Sequence, residues 1–180
     1  MYKLLKVILP LLLILCIIFL AGCTSKNVGD ETTLPLDKIL TGLLTENVEL
    51  YKSAFSPDYI EKVTAALSLI EEDINILLAN TIKDAIDVRN ANYGEKTQIN
   101  YVLISKNVMT TDDLKEPYWD NYDITYNLPV DKITEAYKAT FDIIYKGKES
   151  SETKRAEYKL LKIDGGWYLH PETFMNVFSG

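Results

Sequence analysis

The sequence predicts an α+β domain in which N-terminal helices pack on one face of a curved antiparallel sheet that follows them. Three observations carry this. Apolar residues recur at three and four between Leu36 and Ile86, the spacing of helical faces. Between Tyr137 and Lys146 the spacing changes to a period of two. Short turn-forming stretches, Gly147 to Glu152 and Asp164-Gly165-Gly166, then separate strand-like runs, which gives a meander. Runs of helices followed by runs of strands make two layers around one core.

The chain begins outside that domain. Lys3 and Lys6 precede an apolar run from Val7 to Ala21, broken only by Pro10, which reads as the n- and h-regions of an export signal. Fifteen residues are fewer than the roughly 20 that a helix needs to span a bilayer core. The run closes on Leu20-Ala21-Gly22-Cys23, which resembles the lipobox of bacterial lipoproteins. That resemblance implies a diacylglyceryl thioether on Cys23 and cleavage after Gly22. It also implies a protein held by lipid on the outer side of the cytoplasmic membrane or in the cell envelope. One acyl chain binds a membrane only marginally, whereas two hold a domain stably. The expected organisation is a signal at 1–22, a flexible polar tether at 23–35 and a single domain at 36–180. Loss of Cys16 with the signal and of Cys23 to lipid leaves no pair for an intrachain disulfide, which a domain of this length does not require.

Leu36, Ile39, Leu40, Leu43, Leu44, Val48 and Tyr51 share one helical face and predict a first helix ending near Phe55. Ser56-Pro57-Asp58 supplies an N-cap hydroxyl, a proline at the first helical position and an acid in the first turn, so a second helix starts there. Its stripe, from Ile60 to Ile86, is long enough for one helix or for two broken near Glu71-Glu72-Asp73. Asn90 to Gly94 ends it.

β-branched and aromatic residues dominate the second half. Thr97 to Ser105 is a first strand, and Thr110 to Leu114 a short helical start that Pro117 stops. Tyr118 to Leu128 has no assignable period. In the clearest strand Tyr137, Ala139, Phe141, Ile143 and Tyr145 face the core while Asp142 points away. Arg155 to Ile163 returns against it, and Trp167-Tyr168-Leu169 forms the last strand after the Asp164-Gly165-Gly166 turn.

This order, with the closing run Leu161 to Leu169, resembles small exported lipoproteins of the nuclear-transport-factor-two-like, cone-shaped α+β superfamily. Their final hairpin carries an Asp-Gly-Lys-Trp type of ending, and here Gly166 stands in place of the lysine. The resemblance spans roughly residues 36 to 175 and implies a cone-like two-layer fold. The superfamily includes isomerases and cyclases that use an acid and a tyrosine inside the cone. No residue of theirs can be matched to a position here.

The remaining chemistry is mostly excluded by what is missing. A zinc site needs several Cys or His ligands, and His170 is the single histidine. The same shortage removes Cys-His and Ser-His-Asp catalysis, and His170 beside Pro171 reads as a partly exposed strand-end residue. Glu71-Glu72-Asp73, Asp112-Asp113 and the Asp120/Asp123 pair do not have calcium-loop spacing and read as solvated helix faces or turns. Phosphate-cradling glycine loops are absent. Removing Lys3 and Lys6 with the signal leaves 17 basic against 26 acidic residues, a net charge of −9, which repels nucleic acid and anionic headgroups.

Eight tyrosines and two tryptophans fall between Tyr101 and Tyr168. They read as core packing and cross-strand pairs, with an aromatic-lined concavity or partner surface as the functional alternative. Trp119 and Tyr122, in the stretch without a period, are the candidate partner or ligand surface. The expectation is a lipid-anchored, non-enzymatic binding or interaction module for an unidentified protein or small molecule. It needs no cofactor or metal. The alternatives are a small pocket enzyme using Asp or Glu with Tyr, and a structural spacer in an envelope assembly.

Overall fold

A computed structural model describes residues 30–110, 113–114, 130–148 and 150–176. Residues 1–29, with the expected signal, Cys23 and most of the expected tether, lie outside the described residues, as do Trp119 and Tyr122. Among the described residues the fold is α+β: four helices precede a four-stranded antiparallel sheet, and a short helix, Thr173–Asn176, follows it.

The folded part begins earlier than the expected boundary at 36. The Asp30 carboxylate accepts from the Thr32 amide at 3.0 Å and caps a 3-10 turn, Glu31–Thr33, in which Thr32 and Thr33 are buried. Residues 30–35 therefore belong to the domain and not to a tether, and Lys106 of the sheet pairs with Asp30 at 3.1 Å. The turn runs directly into α1 (Leu34–Leu44), which carries Pro35 in its first turn.

The single first helix expected from 36 to 55 is two helices, broken between Leu44 and Val48. Glu46 takes a positive φ of 53°, and Asn47 caps α2 (Val48–Lys52) by accepting from the Leu50 amide at 2.9 Å. Apolar spacing is preserved across the break because Tyr51 and Leu43 both reach the core. The capping asparagine was the only local sign of a break.

Ser56 caps α3 (Pro57–Ser68) as its sequence predicts. The long stripe after it resolves into two helices: Glu71 has φ 60°, and Asp73 caps α4 (Ile74–Tyr93) by accepting from the Asn75 amide at 2.6 Å. Gly94, at φ 85°, ends α4.

The strands are β1 (Gln98–Val108), β2 (Ile133–Lys146), β3 (Ser151–Ile163) and β4 (Gly166–Leu169), each antiparallel to the next and in that order across the sheet. β1 runs beyond the expected Ser105 because a bulge at Leu103/Ser105 lets the pairing with β2 continue to Val108. The β3–β4 turn places Asp164 at φ 50° and Gly165 at φ 82°, the two positive angles of a tight hairpin turn. At the other end, a Cβ on Gly147 would overlap the Tyr93 carbonyl, so the β2–β3 turn lies directly against the end of α4. Ser150 Oγ donates to the Asn92 carbonyl at 2.8 Å and fixes that contact.

Ala139, Phe141 and Ile143 of β2 are buried in one cluster with Leu36, Ile39, Tyr51, Leu78 and Ile82 of the helices, which places the helices on one sheet face. Asp142 is on the other face, paired with Arg155 by two bonds of 2.8 and 3.0 Å. A second, smaller cluster of Met109, Ala136, Leu161 and Ile163 lies apart from the main core, with Leu114 and Tyr168 packed against it. Adjacent residues on a strand point to opposite faces, so Leu160 in the main core puts Leu161 on this far side.

Candidate functional site

α4 generates a cavity. Ile74, Leu78 and Ile82 lock its first half onto the core. One further turn of the same stripe brings Ala85 and Ile86 and then Arg89, with Thr81 and Asn92 alongside, so that short and polar side chains share this part of the lining with one isoleucine. The helix is held at its far end by Tyr93 against the β2–β3 turn, so it cannot collapse onto the sheet. The result is a cleft of about 290 Å³ between the second half of α4, α1 and strands β1 to β3.

Leu40 and Leu43 of α1, Ile99 of β1 and Ile143 of β2 give the cleft an apolar floor. Tyr145 and Tyr158 add aromatic walls, and Tyr145 stacks on Tyr93 with ring centroids 5.1 Å apart and planes 11° from parallel. Asp84, Val88 and Asn92 also line it and are exposed, so the cleft opens to solvent along α4. Two cations, Arg89 and Lys154, complete the lining.

Arg89 is half-buried, and its Nε and one terminal nitrogen donate to the Asn90 side-chain carbonyl at 3.3 and 3.0 Å. Burial lowers its pKa, opposed by the field of Glu46, yet a guanidinium remains charged. The Tyr93 hydroxyl donates to the Glu152 carboxylate, which raises the phenol to about 12. Burial raises Tyr158 to about 12 as well, with Tyr145 adding to the effect.

The tyrosines expected in a concavity or in the core divide between the two. Tyr145 and Tyr158 line the cleft. Tyr101 is buried and donates to Asp37 at 2.9 Å, and Tyr137 packs on Trp167 at 5.6 Å. The densest aromatic cluster is one that sequence reading did not single out: Phe174, after the last strand, meets Phe55 at 5.0 Å and Tyr59 at 5.5 Å edge to face. Its members are buried, and it joins the helices to the segment after the last strand.

His170 is corrected from a partly exposed residue to a buried one, 2% exposed. Its Nδ1 accepts from the Glu172 amide at 3.2 Å, and its backbone amide donates to the Lys159 carbonyl at 2.9 Å. Among the described residues, no three His, Cys, Asp or Glu side chains are grouped to hold a metal ion, and no helix is long and apolar enough to cross a membrane. Comparison with protein-family models, curated proteins and solved structures finds no match to this chain.

Proposed function

We propose that this chain is a lipid-anchored bacterial lipoprotein whose domain, outside the membrane, binds a small molecule in the α4 cleft without transforming it. The cleft is the observation that carries the binding reading: ligand sites are concave, mostly apolar and furnished with a few polar groups, and this one has that composition at the small end of the usual size range. The anchoring half rests on Leu20-Ala21-Gly22-Cys23 after a short apolar run. Helices followed by a meander that closes on Asp164-Gly165-Gly166-Trp167 support kinship with the cone-shaped superfamily.

The pocket-enzyme alternative has one phenol–carboxylate pair beside the cleft, Tyr93 with Glu152. In that pair the phenol proton is already donated to the Glu152 carboxylate, which leaves neither group open toward a ligand and favours binding over acid–base catalysis. The ligand binds in the cleft, and Trp119 and Tyr122, which lie outside the described residues, serve a partner surface.

Two measurements test the reading. Cells expressing the chain and fed a labelled fatty acid are expected to label wild type and not Cys23→Ala, which also retains its signal; equal labelling refutes the anchor. Native mass spectrometry of the chain extracted from membranes is expected to show an added small mass. That mass should be lost when Ala85→Trp fills the cleft, and its persistence in that variant would move the ligand elsewhere.

A further inference from the structure

We infer that the cleft ligand is a small amphiphilic monoanion, an apolar body of about ten non-hydrogen atoms carrying one carboxylate that pairs with Arg89. This rests on the binding reading above and deepens it. Size is limited by volume: about 290 Å³ sits at the small end of ligand pockets, which suits a body of about ten non-hydrogen atoms. The apolar body follows from the floor of Leu40, Leu43, Ile99 and Ile143.

The charge follows from Arg89. Arg89 follows Ala85 on the α4 stripe and is half-buried in the lining, where a guanidinium loses part of its hydration and gains from a charged partner. Its hydrogen bonds go to a neutral amide, Asn90, and Glu46 acts on it through space. Arginine's fixed fork matches a carboxylate, and a ligand anion entering along α4 would supply a charged acceptor. Lys154 on β3 adds a second positive charge to the same lining. Asp84 shares that lining, and acidic residues outnumber basic ones 26 to 19 in the chain, so a polyanion is disfavoured.

The experiment uses the full chain in nanodiscs with labelled Ile and Leu methyls, where shifts confined to Leu40, Leu43, Ile86, Ile99 and Ile143 report ligand in the cleft and not partition into lipid. The probes are 4-phenylbutyrate, 4-phenylbutanol and 4-phenylbutylamine, which share a body and differ in charge. The butyrate is expected to shift cleft methyls with a Kd about tenfold or more below that of the alcohol, the advantage of a charge-assisted hydrogen bond. The amine should bind weakest. Arg89→Gln should remove the preference for the anion, bringing the Kd values of the butyrate and the alcohol together. Equal affinity for acid and alcohol, tighter binding of the amine, or a preference that survives Arg89→Gln would overturn the anion inference and leave the cleft as a neutral-ligand site. No methyl shift with any of the three would overturn the binding reading with it.

Discussion

Phe141→Asp is expected to abolish cooperative folding, whereas Asp142→Asn leaves the denaturation midpoint nearly unchanged. The two residues are neighbours on β2 and differ in the face they occupy. Phe141 is 0% exposed, packs edge to face on Tyr101 at 5.6 Å and also touches Tyr158 at 5.9 Å. Truncating such a phenylalanine costs about 3–5 kcal/mol before any charge is considered. The aspartate would add a carboxylate among apolar side chains with no cation positioned to meet it, a further cost of several kcal/mol unless it takes up a proton. Together these are comparable with the total stability of an ordinary domain, roughly 5–15 kcal/mol. Asp142 pairs with Arg155 on the opposite face, where the Arg155 side chain is 65% exposed and solvent screens the attraction. Urea titrations followed by circular dichroism decide it: a native-like transition in Phe141→Asp, or equal midpoints for the two variants, would mean that the strand's faces are reversed.

That strand was legible because a period of two over nine residues has one reading, and the same holds for the Asp164-Gly165-Gly166 hairpin, whose positive φ values require such residues. Helix starts with a side-chain cap and a proline, such as Ser56-Pro57, were equally plain. The α1–α2 break was not. Three-and-four spacing is a statement about which residues are buried, and a broken pair of helices can bury the same residues as one straight helix. Only Asn47 as a cap, and a positive φ at Glu46 that no residue type announces, distinguish them.

The cleft was hidden for a related reason. A cavity is a place where side chains are too short or too polar to meet, and periodicity registers what is present on a face. The usable signal was Arg89, a cation in register with Ile74, Leu78 and Ile82 once the stripe is continued past Ala85. Tyr145 was expected to face inward, but only its stacking on Tyr93 and the contact of Gly147 with the end of α4 show that inward here means toward a space. The aromatic surplus of the second half, read first as cross-strand and core packing, takes that role at Tyr101, Phe141 and Trp167, while Tyr145 and Tyr158 line the cleft.

His170 should make the domain acid-sensitive well above the pH at which most carboxylates titrate. Its pKa lies at about 4, first because burial strips water from the imidazolium and second because Lys159 is nearby. The Glu172 carboxylate, 3.8 Å from Nδ1, would pull the other way. Nδ1 is already accepting the Glu172 amide, however, and that carboxylate is paired with Lys159 at 3.2 Å, so protonating the ring breaks a bond and gains little. In the unfolded chain the same ring takes up its proton near 6.5. Between those values the unfolded state holds a proton that the folded state lacks, so this contribution is complete above about pH 6.5 and is lost as pH falls toward 4. At pH 4.5 the loss amounts to about 2 to 3 kcal/mol. His170→Asn keeps an acceptor for the Glu172 amide and removes the titration. Urea midpoints at pH 7.5 and 4.5 should therefore fall further for wild type than for His170→Asn, with carboxylate effects common to both cancelling in the comparison. Parallel losses in the two proteins would place the histidine in contact with water, with an ordinary pKa and no part in the acid response.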